Sequence, residues 1–155
     1  MDASTLLKGQ IEDVAKMYVQ DLEALTEEQI LGTPKEPARK AVDFTYECAF
    51  VNNRVARRCQ GLENEPWPFD GWVTAPAELQ SKAAIVAHFQ DSIANLLAAV
   101  ESSNGEALNK EIELPNGETT TPLKMLNFMP IHMAYHNGQL TYIQALHGDM
   151  EMHWE

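Results

Sequence analysis

The chain reads as an all-α protein: an up-down four-helix bundle in a single domain over residues 1–155, with a small β-hairpin before the last helix. Three observations lead to this. Four long segments repeat apolar residues at steps of three and four, the period of one helix face. The connections between them carry the Pro and Gly that punctuate helices. A hydrophobic fraction of 45 % over 155 residues suffices for one core and exceeds what a disordered chain shows.

The first segment, about Ser4 to Leu25, places Leu7, Ile11, Val14, Tyr18, Leu22 and Leu25 on one stripe, with Ser4 or Asp2 as its cap. Thr26-Glu27-Glu28-Gln29 then opens a short turn closed by Leu31-Gly32-Thr33-Pro34. The second segment, about Pro37 to Gln60, has Pro37 suited to a first helical turn and Gly61 as its stop. Its stripe is Val42, Tyr46, Ala49, Val55 and Cys59, interrupted by Asp43, Glu47, Asn52 and Asn53. Residues 63–77 form a loop broken by Pro66, Pro68, Gly71 and Pro76 and loaded with Trp67, Phe69 and Trp72, which suit a lid over the bundle end or a dimer contact.

The third segment, about Pro76 to Ser102, follows Leu79, Ala83, Val86, Phe89, Ile93, Leu96, Leu97 and Val100. Between Leu114 and Thr119, Pro115-Asn116-Gly117 sits between two β-prone runs, a hairpin signal. The fourth segment opens at Thr121-Pro122, a cap followed by proline at the first helical position, and stops at Gly148. Pro130 lies inside it, so a kink is expected near Leu126, whose carbonyl the ring displaces.

Charge narrows the function. There are 11 basic and 23 acidic residues, a net charge of −12. Nucleic-acid binding draws its affinity from neutralised phosphates, so DNA and anionic membrane surfaces are poor partners for this chain. The densest basic run, Arg54, Arg57 and Arg58, suits a solvated face or an anionic substrate. Cys48 and Cys59 lie 11 residues apart on one expected helix, roughly 16 Å, too far for a disulfide. With no CxxC, no secretory leader and no apolar run of about 18 residues, a cytoplasmic protein without a membrane span is expected.

The chemistry concentrates in the fourth segment. His132 and His136 are an i, i+4 pair sharing one helix face, a spacing at which two imidazoles hold one metal ion. Two core histidines, each hydrogen-bonded to a neighbour, would show the same spacing. Position 133 is Met and not Glu, which excludes a metalloprotease HExxH. Met129, Met133, Leu140 and Ile143 lie on or beside that face, so the rings point inward and need a shared partner. Glu47, i+4 from Asp43, is a solvated helix position, the third ligand, or an acceptor for an imidazole N–H. Gln139 is placed to orient a ligand, Gly138 to allow close helix approach, and His88, His147 and His153 to have no role in the site.

His132-x-x-x-His136-Asn137-Gly138-Gln139-Leu140 resembles the last-helix motif of the DinB-like (DinB/YfiT) superfamily of four-helix bundles. The order of elements is similar along essentially the whole chain. The resemblance implies a divalent metal, zinc or nickel, held by two histidines of the last helix, here His132 and His136, and a third histidine of the second helix. Counting back from Gly61 puts Glu47 at that third position, a carboxylate where the family pattern has imidazole. A His₂Glu set suits zinc and leaves a fourth position open. The resemblance further implies a homodimer, a small-molecule substrate and a low-molecular-weight thiol in an S-transferase type of reaction. The alternative is a non-catalytic dimeric bundle with a degenerate metal pocket.

Overall fold

A computed structural model describes residues 2–155. Five α-helices, α1 (Ala3–Ala24), α2 (Glu27–Leu31), α3 (Ala41–Cys59), α4 (Lys82–Ser102) and α5 (Pro122–Leu146), accompany one two-stranded hairpin, β1 (Ile112–Glu113) and β2 (Thr119–Thr120). α1 and α3 each pack on both α4 and α5, so the four long helices enclose one core. The all-α bundle and the hairpin before the last helix are as expected; β1 and β2 are antiparallel, with Ile112 opposite Thr120.

The helix starts follow cap chemistry. Asp2 caps α1, its carboxylate accepting from the Thr5 amide at 2.8 Å. The Thr26 segment is a helix and not a turn, because Thr26 and Gln29 form a reciprocal capping box. Thr121 caps α5, and Pro122 follows where no amide donor is needed. α5 runs unbroken through the buried Pro130.

Two expected starts move. α3 begins at Ala41, so Pro37 lies ahead of it in the connection and not in its first turn. Pro76 likewise precedes a 3-10 turn, Ala77–Leu79; α4 proper starts after Ser81, whose hydroxyl accepts from the Ala84 amide.

The α1 stripe faces the core as read: Leu7, Ile11, Tyr18, Leu22 and Leu25 are buried. On α3 the buried face is rotated from the expected stripe. Val42 and Ala49 are buried, but Phe44, Thr45, Cys48, Asn52 and Ala56 accompany them, while Tyr46, Val55 and Cys59 are only half-buried. The polar residues there have partners. Thr45 bonds the Tyr18 hydroxyl at 2.9 Å, and Asn52 donates to Ser92 at 3.1 Å. α4 is the one helix among the described residues long and apolar enough to cross a membrane by length and composition. Its Ile85, Phe89, Leu96, Ala99 and Val100 are core residues of the bundle.

Candidate metal centre

Glu47 projects from the middle of α3, and His132 and His136 project one turn apart from α5, where that helix packs on α3. Their ligand atoms lie within 4.8 Å of one another. The two imidazoles face each other through Nε2, 3.2 Å apart. Oε1 of Glu47 is 4.0 Å from Nε2 of His132 and 3.9 Å from Nε2 of His136. In a triangle of these sides the equidistant point lies about 2.2 Å from each corner, close to the 2.0–2.2 Å bonds of zinc to nitrogen and carboxylate oxygen. The set therefore fits a divalent cation of that size after a contraction of a few tenths of an ångström.

The surroundings keep both imidazoles in the form a metal needs. Burial pushes His132 down to about 4, reinforced by His136 and opposed by Glu47. Burial also lowers His136, against Gln139 and Glu47, which raise it. Both rings are therefore neutral at neutral pH, each with one unprotonated nitrogen. Gln139 Oε1 lies 2.8 Å from Nδ1 of His136, so the ring donates there and presents Nε2 as an acceptor. Phe44 stacks on His136 with centroids 5.5 Å apart, and Phe128 stacks on His132 at 6.2 Å. The Cys48 thiol is 4.0 Å from Nδ1 of His132; burial raises its pKa far above the ordinary range, so it stays a thiol.

Glu47 has a second neighbour that helical spacing does not reveal. Arg39, just ahead of α3, sets Nη1 2.6 Å from Oε2, the carboxylate oxygen turned away from the histidines. The same guanidinium donates to the Val73 carbonyl at 3.1 Å and lies over the Trp72 ring at 4.9 Å. Arg39, Phe44, Cys48 and Phe128 are the members of the site not anticipated from sequence. Of these, Phe44 and Cys48 sit three residues before and one after Glu47, but the rotated α3 stripe hid them.

A cavity of about 690 Å3 adjoins the centre, walled by Arg39, Phe44, Gln139, Tyr142, Ile143 and residues 34–38 of the connection before α3. Three of those wall residues, Arg39, Phe44 and Gln139, touch Glu47 or His136 directly.

Other singled-out residues have structural jobs. Asp43 accepts from the Ala75 amide at 2.9 Å and ties down the loop before α4. Arg54 and Arg57 donate to the carbonyls of Glu65 and Glu63, both at 2.7 Å, so they brace that loop in place of forming a free cationic patch. Trp67 and Phe69 pack edge-on against Phe50 of α3, and Phe69 also meets Tyr46; the aromatics line the flank of α3. His88 packs on Tyr46, and His153 bonds Asp149 at 2.8 Å. Gly138 does not mediate a close approach inside the bundle: a Cβ built there would meet nothing within 4 Å.

The family model described as DinB superfamily matches residues 10–140, from within α1 to most of α5, and includes all three candidate ligands. No curated protein matches the chain.

Proposed function

The chain belongs to the DinB superfamily, and from that premise we propose a divalent-metal-dependent enzyme, with zinc or nickel held by Glu47, His132 and His136. The observation that carries this reading is the triangle of three ligand atoms opening beside a cavity that shares residues with the ligands' own supports. When bound there, a divalent cation supplies Lewis acidity that lowers the pKa of a coordinated thiol or water. The reaction we propose is transfer of a low-molecular-weight thiol, such as bacillithiol, mycothiol or glutathione, onto a small-molecule electrophile.

The chain's own residues have assignable parts. His136 offers Nε2, its proton held on Nδ1 by Gln139, and His132 would offer its Nε2 once the proton it donates across the 3.2 Å contact to His136 has left. Arg39 fixes one oxygen of Glu47 and leaves the other toward the histidines. Phe44, Tyr142 and Ile143 give the cavity beside the centre an apolar wall. Cys48 is excluded as the nucleophile by its buried, protonated thiol. A net charge of −12 argues against nucleic acid as the substrate. Cys48 and Cys59 are both free, which suits a reducing cytoplasm.

Elemental analysis of untagged protein loaded with zinc or nickel tests the metal. About one ion per chain, with melting lowered by a chelator, supports the proposal; less than about 0.2 ion and unchanged melting removes it. Calorimetry with the three thiols, metal-loaded against metal-free, then tests the co-substrate.

The 2.6 Å ion pair between Arg39 and Glu47 favours one second reading, a non-catalytic bundle whose pocket is held together by that pair. Glu47→His separates the two. Tight metal binding gained only in the variant identifies the natural pocket as degenerate; binding equal or tighter in the parent chain identifies Glu47 as a ligand.

A further inference from the structure

Where α5 packs on α1, a second cavity of about 470 Å3 lies under the segment that follows α5. Its walls include Val14 and Met17 of α1, Ala134, Asn137 and Thr141 of α5, and Met152 of the tail. Trp154 holds the tail down, its indole N–H donating to Oδ2 of Asp21 at 2.7 Å. Gln144 donates to the backbone carbonyl of Asp21 at 2.8 Å and ties α5 to α1 at the same point. None of the three candidate metal ligands lines this cavity.

Two buried polar groups of this cavity lack the partners their chemistry asks for. Asn137 is 3 % exposed, and its Oδ1 accepts no hydrogen bond. A buried acceptor in that condition costs stability and calls for a donor from elsewhere. Asp21 is 1 % exposed. Its carboxylate receives the N–H groups of Trp154 and, at 3.4 Å, of Gln144, and among the described residues it forms no ion pair. Buried carboxylates are ordinarily matched by a cation. No Lys or Arg lines the cavity, whereas Asp149 and Glu151 do; its one basic side chain, His153, is bonded to Asp149. Asn137 and Gln144, the residue that meets Asp21, are seven positions apart on α5, about 10 Å along its axis. The unpartnered acceptor and the uncompensated carboxylate therefore belong to different parts of the cavity.

We propose that this cavity binds a linear aliphatic diamine, one ammonium donating to Oδ1 of Asn137 and the other paired with Asp21. The walls suit the methylenes between: Val14 and Ala134 are apolar, and the unbranched Met17 and Met152 adapt to a flexible chain. Trp154 adds an aromatic ring of the kind that attracts ammonium groups. An anion is repelled by Asp21, Asp149 and Glu151 and by a net charge of −12. A neutral ligand leaves Asp21 without its cation. The site owes nothing to the proposed metal and stands whether or not one is bound.

An NMR titration of the chelator-treated full chain with cadaverine tests this without reference to activity or metal. The side-chain amide of Asn137 and the indole N–H of Trp154, assigned through Asn137→Leu and Trp154→Phe, should shift together and saturate, with a Kd on the order of 0.1–1 mM. Pentylamine, with one ammonium, should bind at least about tenfold more weakly, the effect of losing one charged hydrogen bond. Glutarate, of similar length and opposite charge, should move neither resonance. Asn137→Leu and Asp21→Asn should each weaken cadaverine at least about tenfold. Asn137→Leu should also melt no lower than the parent, since Oδ1 has no bond inside the chain to lose. Resonances unmoved by about 20 mM cadaverine, well above that Kd, overturn the proposal, as does glutarate or pentylamine bound as tightly as the diamine. So does an Asn137→Leu chain that melts well below the parent and keeps its cadaverine affinity, which would make the amide structural. Should Asn137→Leu fail to fold, Asp21→Asn and the pentylamine comparison decide, and cadaverine affinity unchanged in Asp21→Asn overturns it.

Discussion

Gln139 accepts a hydrogen bond from Nδ1 of His136 at 2.8 Å, and this bond decides which nitrogen of His136 faces Glu47 and His132. With the proton on Nδ1, Nε2 carries a lone pair at the corner of the ligand triangle. Partners of this kind typically change metal affinity 10–100-fold. Gln139→Leu should therefore weaken zinc binding by about that factor in competition with a fluorescent chelator, whereas Gln139→Glu should keep it. Equal affinity in all three proteins would remove Gln139 from the site.

The metal-free protein should lose stability on mild acidification. Both histidines have lowered folded-state pKa values, with His132 at about 4 against an ordinary 6.5. Below about 6.5 the unfolded chain takes up protons that the folded chain refuses, so each histidine destabilises the fold by at most about 1.4 kcal/mol per pH unit. For His132 the loss should begin near 6.5 and level off near 4. Urea titrations of chelator-treated protein from pH 7 to 4 should show it, and His132→Gln should flatten the curve. A parent curve no steeper than the variant's would contradict the burial of these rings.

Most of this bundle was legible because helix stripes and caps are local. Leu7, Ile11, Tyr18 and Leu22 follow from spacing, and Thr121-Pro122 from cap chemistry alone. The face of α3 was not legible: Thr45 and Asn52 look like surface types, and the opposing Tyr18 and Ser92 make their burial tolerable. The i, i+4 histidines were readable as a pair, and Glu47 through the resemblance. Arg39 was not, because it lies outside the helix whose side chain it grips, and no periodicity connects a connecting segment to a helix face.

The buried Tyr18–Thr45 bond gives a direct check on that α3 face. Its oxygens are 2.9 Å apart, and Tyr18 also stacks on Phe89 at 4.3 Å, so one side chain joins α1, α3 and α4. Tyr18→Phe keeps the stacking ring but strands the Thr45 hydroxyl, which should cost about 1–3 kcal/mol. Adding Thr45→Val should recover part of the loss, because both polar partners are then gone. A double variant that is strictly additive by chemical denaturation would show that the two hydroxyls are not coupled.

Arg39 and Glu47 form the pair whose response to metal is most informative. Glu47 is 19 % exposed and Arg39 16 %, so neither charge is freely solvated. Removing one partner of such a pair leaves the other under-compensated; for a pair that retains some solvent, a loss of about 2 kcal/mol is expected, below the value for full burial. Arg39→Met should accordingly lower the melting temperature of the metal-free protein. A cation bound by Glu47 and the two histidines would replace the missing positive charge, so the stabilisation gained on adding zinc should be larger in Arg39→Met than in the parent. If the variant melts lower and zinc rescues it no better than the parent, Arg39 braces Val73 and Trp72 without influencing the centre. If zinc stabilises the variant more, the carboxylate at 47 is shared between the guanidinium and the metal, and Arg39 sets how strongly the metal is held.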